Sequence, residues 1–261
     1  MQIDLSDEGD AHLPLTLFFC PLSHSRRLIR FLQIDAMVIA ADFPVTTSSE
    51  NAFIRHIEQA GFPCLAAKTA VARGQIHFFE AGPIDSAACD EGLLEALSSY
   101  ASSNAEQSAA FQSFVALFPG STHKTPEQFE KSLWQRLQRL HERDARHFDW
   151  DPSVSRDPAS DHFSMSLAGH AFYVVGTHPG SGRRARRTPV TAMVFNLHSQ
   201  FEQLRQEGRY NRFRDEIIDR DIAFQGHANP MLAPHGESSE ARQYSGRIVD
   251  DAWRCPFKPL P

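Results

Sequence analysis

The chain has 261 residues, a net charge of −6 at pH 7 and a hydrophobic content of 41% that includes 20 phenylalanines. At ~100–200 residues per domain this is one large domain or two small ones, with apolar material for a sizeable core. The acidic balance excludes a generally basic nucleic-acid binder, and no run approaches the ~20 apolar residues of a membrane span.

The beginning of the chain reads as a ragged leader, acidic at Asp4, Asp7, Glu8 and Asp10 and broken by Pro14 and Pro21. Leu13 to Phe19 is apolar but short, and acids rather than Lys or Arg precede it, so it makes a poor signal peptide. Four cysteines without paired spacing argue against a disulfide framework or a zinc ribbon. A reducing cytoplasm is the expected compartment. Ser25 to Ala40 is compatible with a helix.

Thr47-Ser48-Ser49 offers caps for a helix carrying Phe53, Ile54 and Ile57, stopped at Gly61. Pro63 suits the first position of the next helix, with Gly74 as its C-terminal cap. That places Cys64 in a first helical turn, where the dipole favours thiolate and permits metal ligation; the alternative is a small buried core cysteine. A short strand at 75–79, a helix over 85–99 with Leu93, Leu94, Leu97 and Tyr100 inward, and a strand over 109–118 follow. Thr125-Pro126-Glu127-Gln128 starts a long helix, whose stripe of Phe129, Leu133, Leu137 and Leu140 is core. Residues 149–161 read as a loop, and Phe163–Leu167 and Ala171–Gly176 as a hairpin around Ala168-Gly169-His170.

Between the apolar runs Ala171–Val175 and Val190–Phe195 lies a loop with Arg183, Arg184, Arg186 and Arg187 and no acid of its own. Guanidinium forks match paired oxygens, so phosphate, carboxylate or a cofactor's propionates would suit it; a solvated basic loop is the alternative. Phe195-Asn196 ends the second strand, and Asn196 can cap the next helix. Leu197, Phe201 and Leu204 form that helix's buried stripe, which sets His198 at the edge of its apolar face. Such a histidine is either a metal ligand or a core histidine bonded to a carbonyl. Gly208 ends this helix, and Tyr210–Phe224 forms another. The tail from His227 onward is irregular and rich in polar groups, with Trp253 and Phe257 as anchors. Helices mixed with antiparallel hairpins imply an α+β fold: a single domain with a mixed or antiparallel sheet and flanking helices.

The sequence holds no P-loop, no Gly-x-Ser-x-Gly elbow and no His-Glu-x-x-His. What remains is the basic loop, His178 and His198, Cys64 and the polar tail. An iron porphyrin fits this set physically, since it needs an axial His or Cys, arginines for its propionates and aromatic walls.

Gly176 to Arg187, Val194-Phe195-Asn196-Leu197-His198-Ser199-Gln200-Phe201, Asn229-Pro230-Met231-Leu232, Ser239-Glu240-Ala241-Arg242-Gln243-Tyr244-Ser245-Gly246-Arg247 and Trp253-Arg254-Cys255-Pro256-Phe257 together resemble the YqcI/YcgG family, as does Phe62-Pro63-Cys64. The likeness makes residues 41–261 the family domain and 1–40 an N-terminal extension. The family pattern often carries Ser where this chain has Gly182 and His227. By that resemblance the protein is a haem b monooxygenase that N-hydroxylates a guanidino or amino group of an arginine-like small molecule, using O2 and an external electron donor. His198 is then the first choice of iron ligand, followed by His178 and Cys64; Cys255 is a further, structural candidate. Arg183, Arg186, Arg187 and Asn196 are the cofactor-binding candidates. Glu240 pairs with a guanidinium that Gln243 or Tyr244 orients. Two other readings stay open: a non-catalytic haem or redox sensor with both axial positions filled, for example by His178 and His198, and a haem-free binder of an anionic metabolite at the arginine loop. Neither nucleic acid nor membrane is expected as a partner, and the oligomeric state is left open.

Overall fold

Local sequence starts and stops most helices. In the computed structural model, which describes residues 47–104, 111–123, 125–232 and 236–260, Thr47 caps α1 (Ser48–Glu58). Its hydroxyl accepts from the Glu50 amide while the Glu50 carboxylate accepts from the Thr47 amide, a reciprocal capping box. The leader and the expected helix at 25–40 lie outside the described residues. Cys64 is the N-cap of α2 (Leu65–Ala72), one step before the first turn, and Pro63 precedes the helix instead of opening it. β1 (Ile76–Glu80) follows.

α3 (Asp90–Asn104) begins later than its periodicity implies. The fully buried Ile84 is tethered through its amide to Ser121 Oγ at 2.8 Å, and the Ser86 amide bonds Pro83 O, so residues 83–86 are held in turns. β2 (Ser113–Leu117) is next. α4 (Pro126–Asp144) has the Thr125 cap and the proline start, and Phe129, Leu133, Leu137 and Leu140 are fully buried along it. β3 (Met165–Leu167) and β4 (His170–Thr177) form a hairpin. The turn has two residues, not three: Ala168 and Gly169 both have positive φ (53° and 72°), as a type I′ turn demands. Ala168 adopts that unusual conformation while its amide donates to Asp144 Oδ1 at 2.8 Å.

β5 (Ala192–Leu197) closes a five-stranded sheet of order β1-β2-β5-β4-β3. β1 and β2 are parallel and joined across α3; the other neighbours are antiparallel. The chain is therefore α+β with one mixed sheet and flanking helices among the described residues. Alternate residues separate two cores. Phe114, Ala116, Phe172, Val174, Met193 and Phe195 join α3 and α4, whereas Val115, Leu117 and Ala192 join Phe53, Ile57 and Phe62. α4 approaches the sheet so closely that a Cβ on Gly176 would lie 2.5 Å from Leu133 Cδ1.

α5 (His198–Gln206) and α6 (Tyr210–Gln225) follow β5, and Gly226 ends α6 in a left-handed cap (φ 97°). In the otherwise irregular tail, α7 (Ala241–Tyr244) is a single turn against β4, and Phe257 is buried with Trp253 beside it. Cys64 and Cys255 are free thiols, but Cys89 is disulfide-bonded. No helix among the described residues is long and apolar enough to cross a membrane.

Candidate functional site

Strand alternation puts Phe172 and Val174 into the α4 side of the sheet, which leaves Tyr173 to face α5 and α6. There it lines a cavity of about 220 Å³ whose walls include Phe201, Tyr210, Phe213, Glu240 and Gln243. Arg205 and Arg214 also reach it. The Tyr173 hydroxyl donates to Gln243 Oε1 at 3.0 Å. Burial pushes its pKa up to about 12, so it remains a donor at neutral pH.

Glu240 precedes α7 but makes no side-chain cap bond. Its carboxylate turns inward: Oε2 accepts from Ser164 Oγ at 2.6 Å, and Oε1 lies 3.6 Å from His198 Nε2. His198 Nδ1 lies 3.7 Å from Glu202 Oε1, one turn along the same helix. Both His198 and Glu240 are largely buried, at 12% and 14% side-chain exposure. The two motifs containing them, more than 40 residues apart in sequence, therefore meet at one place.

The arginine loop lies behind this cavity and is tied inward. Arg183 is buried and ion-paired with Asp221 of α6, and it donates to the carbonyls of His227 and Ala228 at 3.4 Å. The loop carries no acid of its own, but the fold supplies one from a distant helix. Arg184 donates to Phe224 O at 2.6 Å and stands 4.5 Å over the Phe224 ring. Arg186 donates to Gln243 O at 2.7 Å and Tyr244 O at 3.1 Å, so it holds α7 in place. Its burial lowers its pKa from the ordinary guanidinium value. Arg187 is exposed, and its Nε donates to Ser181 O at 2.8 Å.

Residues 52–258 match the YqcI/YcgG family over most of the chain. The chain belongs to the YqcI/YcgG family. No curated protein and no solved structure matches it.

Within this YqcI/YcgG domain the remaining candidates separate. Gln243 is at the cavity, but Tyr244 is fully buried in the core. Its hydroxyl accepts from the Met165 amide at 3.0 Å and donates to Phe172 O at 3.2 Å. Asn196 does not cap α5, whose N-cap is Leu197. It is a strand residue whose Oδ1 accepts from Ser113 Oγ at 2.7 Å, pinning β5 to β2. Of the two readings of Cys64, the thiolate is not favoured: the Ala67 amide bonds its sulfur, yet desolvation is the larger effect and raises the thiol pKa. His178 is 1% exposed and stacks on Phe129 at 4.2 Å. Burial, reinforced by His123, lowers its pKa to about 4, so it is neutral. Tyr173, Ser164, Arg205 and Asp221 were missed. The period-2 pattern of β4 could have revealed Tyr173, whereas no local signal marks Ser164 or Asp221.

An iron porphyrin does not fit inside the described cavity, and His198 is not among its lining residues. Both His198 ring nitrogens face carboxylates, Nδ1 that of Glu202 at 3.7 Å and Nε2 that of Glu240 at 3.6 Å. No group of three or more His, Cys, Asp or Glu among the described residues could hold a metal ion; a porphyrin iron needs only one such ligand from the chain. At about 220 Å³ the cavity lies below the ~300–1,000 Å³ of drug-sized sites, and an amino-acid-sized molecule suits its size.

Proposed function

We propose that this protein is a haem-dependent N-oxygenase that hydroxylates a guanidino nitrogen of an arginine-like small molecule held against Glu240. The observation that carries the reading is the inward-turned Glu240 carboxylate at an aromatic-walled cavity, beside His198. A carboxylate and a guanidinium make paired, charge-assisted hydrogen bonds, and the rings of Tyr173, Phe201 and Phe213 offer π faces to a planar cation. The haem half of the reading rests on the resemblance alone, and His198 would hold the iron. Haem, when bound, would supply O2 activation with two electrons from an external donor and two protons, one oxygen atom entering the N–H bond and the other leaving as water.

The chain's own residues hold and orient the substrate. Ser164 fixes one Glu240 oxygen, and the other, 3.6 Å from His198 Nε2, would receive the substrate cation. Tyr173 fixes the Gln243 side-chain oxygen, which leaves the amide N–H groups as donors. Phe201, Phe213 and Ile217 exclude water from the guanidino group. Arg186 acts at one remove by holding α7, which carries Gln243 and follows Glu240 directly.

The test is absorption spectroscopy of protein produced with added haem precursor and titrated with L-arginine. A high-spin ferric Soret band that shifts with arginine is expected. Glu240→Gln should keep the band and lose the shift, and His198→Ala should change the band itself. Colourless protein, or a six-coordinate low-spin spectrum indifferent to arginine, refutes the proposal.

A further inference from the structure

The segment 253–260 has no regular structure, yet it is fastened along α4. Phe257, 3% exposed, sits among the rings of Trp134, His141, Trp150 and Phe163 at centroid distances of 5.1 to 6.3 Å. The Gln138 side chain brackets the next residue: its amide donates to Lys258 O at 3.0 Å and its oxygen accepts from Lys258 N at 2.9 Å. One turn further on, His141 Nε2 accepts from the Leu260 amide at 2.9 Å. Arg156, from the loop over 149–161, donates to Leu260 O at 3.4 Å.

A backbone N–H only donates, so the Leu260 bond fixes the His141 imidazole in its neutral form with the proton on Nδ1. An imidazolium has N–H at both nitrogens and no lone pair for the amide. Protonation would set two N–H groups against each other. It would also place a cation in a site 4% exposed and walled by Trp150 and Phe257. Burial holds the His141 pKa below its ordinary 6.5; Glu142 on its own helix acts the other way, and Arg156 on the loop acts with burial. The 253–260 segment meets the imidazole with a ring and a backbone amide. Asp144, one turn along α4, has the opposite sign: burial raises its pKa to about 6, so acid does not unfasten this region through it.

We propose that His141 and the 253–260 segment form an acid-released clasp: the neutral imidazole fastens the segment to α4, and its protonation frees Lys258 and Leu260 from the helix. The released form binds the proton better, so the clasp is closed above about pH 6.5 and opens as the pH falls below it. The proposal is independent of what the cavity beside Glu240 binds.

The experiment compares hydrogen–deuterium exchange of the Lys258 and Leu260 amides at pH 7.5 and 5.0 in wild type and His141→Gln, each rate divided by its intrinsic value at that pH. The wild type should lose protection by about 5- to 30-fold at the lower pH. The smaller figure corresponds to one buried hydrogen bond; the larger is the most that one histidine titrating at about 6.5 when released contributes at that pH. His141→Gln, whose side-chain oxygen accepts the same amide without titrating, should keep its protection at both. Equal losses in the two proteins, or no loss in the wild type, overturn the proposal. Nitrogen NMR of the wild-type imidazole keeps the test intact if the variant fails to fold: at pH 7.5 the proton should reside on Nδ1, and a proton on Nε2 overturns the proposal.

Discussion

Adding one methyl group at Gly176 tests how tightly α4 is seated on the sheet. In Gly176→Ala the new carbon would lie 2.5 Å from Leu133 Cδ1 and 2.8 and 2.9 Å from Phe129 Cζ and Cε1. Carbon atoms prefer ~3.5–4.0 Å, so the walls must retreat by about 1 Å. Leu133 and Phe129 are fully buried, and Phe129 is held against His178 at 4.2 Å. Overpacking of this kind costs about 1–3 kcal/mol, which for a chain of this size lowers Tm by roughly 2–12 °C. Urea unfolding should show a lower midpoint with an unchanged slope. Leu133→Ala removes one wall and by itself costs ~2–5 kcal/mol. The double variant should be less destabilised than the sum of the two, by ~1 kcal/mol or more. Strict additivity, or a Gly176→Ala Tm equal to that of the wild type, would show that α4 and β4 are not in contact as described.

Burial holds the Asp144 carboxylate at about 6, above its ordinary 3.8. Between those values the folded chain binds the extra proton, so this group makes stability fall as pH rises from about 4 to 7, by about 3 kcal/mol at most. Asp144→Asn keeps the acceptor for the Ala168 amide and should flatten that part of the urea-derived stability profile; an unchanged slope contradicts it. Asp90→Ala leaves Arg136, with which it shares a fully buried ion pair at 2.9 Å, without its partner. A loss of about 3–5 kcal/mol in chemical denaturation is expected, and a loss under 1 kcal/mol would speak against the pair. Gly246→Ala combines a left-handed φ of 76° with a Cβ 2.6 Å from Arg186 Cδ. It should lower Tm more than Gly208→Ala, which is also left-handed (φ 67°) but open, and it should weaken L-arginine binding by loosening α7. Equal effects of the two substitutions would dismiss the contact.

Legibility followed the range of the forces involved. The Thr47 and Thr125 caps, the α4 stripe and the stops at Gly208 and Gly226 depend on neighbours within a turn or two, and those readings hold, whereas α1 ends at Gln59, two residues before Gly61. Where a long-range tether intervenes they fail: Ser121 draws Ile84 aside and delays α3, and strand pairing with Tyr173 keeps Asn196 in β5. His198 and Glu240 were both picked out from their motifs, but their 3.6 Å separation was not visible there.

Taken alone, the amino-acid order determines the class of fold, the helix boundaries set by caps and glycines, and membership of the YqcI/YcgG family, because each is written in residues near one another or in contiguous motifs. Only the tertiary structure decides what the arginines face. Arg183 meets Asp221 from α6, Arg186 meets the carbonyls of α7, and Arg205, absent from any sequence signal, is left with an unpartnered buried donor at the cavity. A guanidinium's role depends on the acceptors within about 3 Å of it, and those come from chain segments that folding alone brings together.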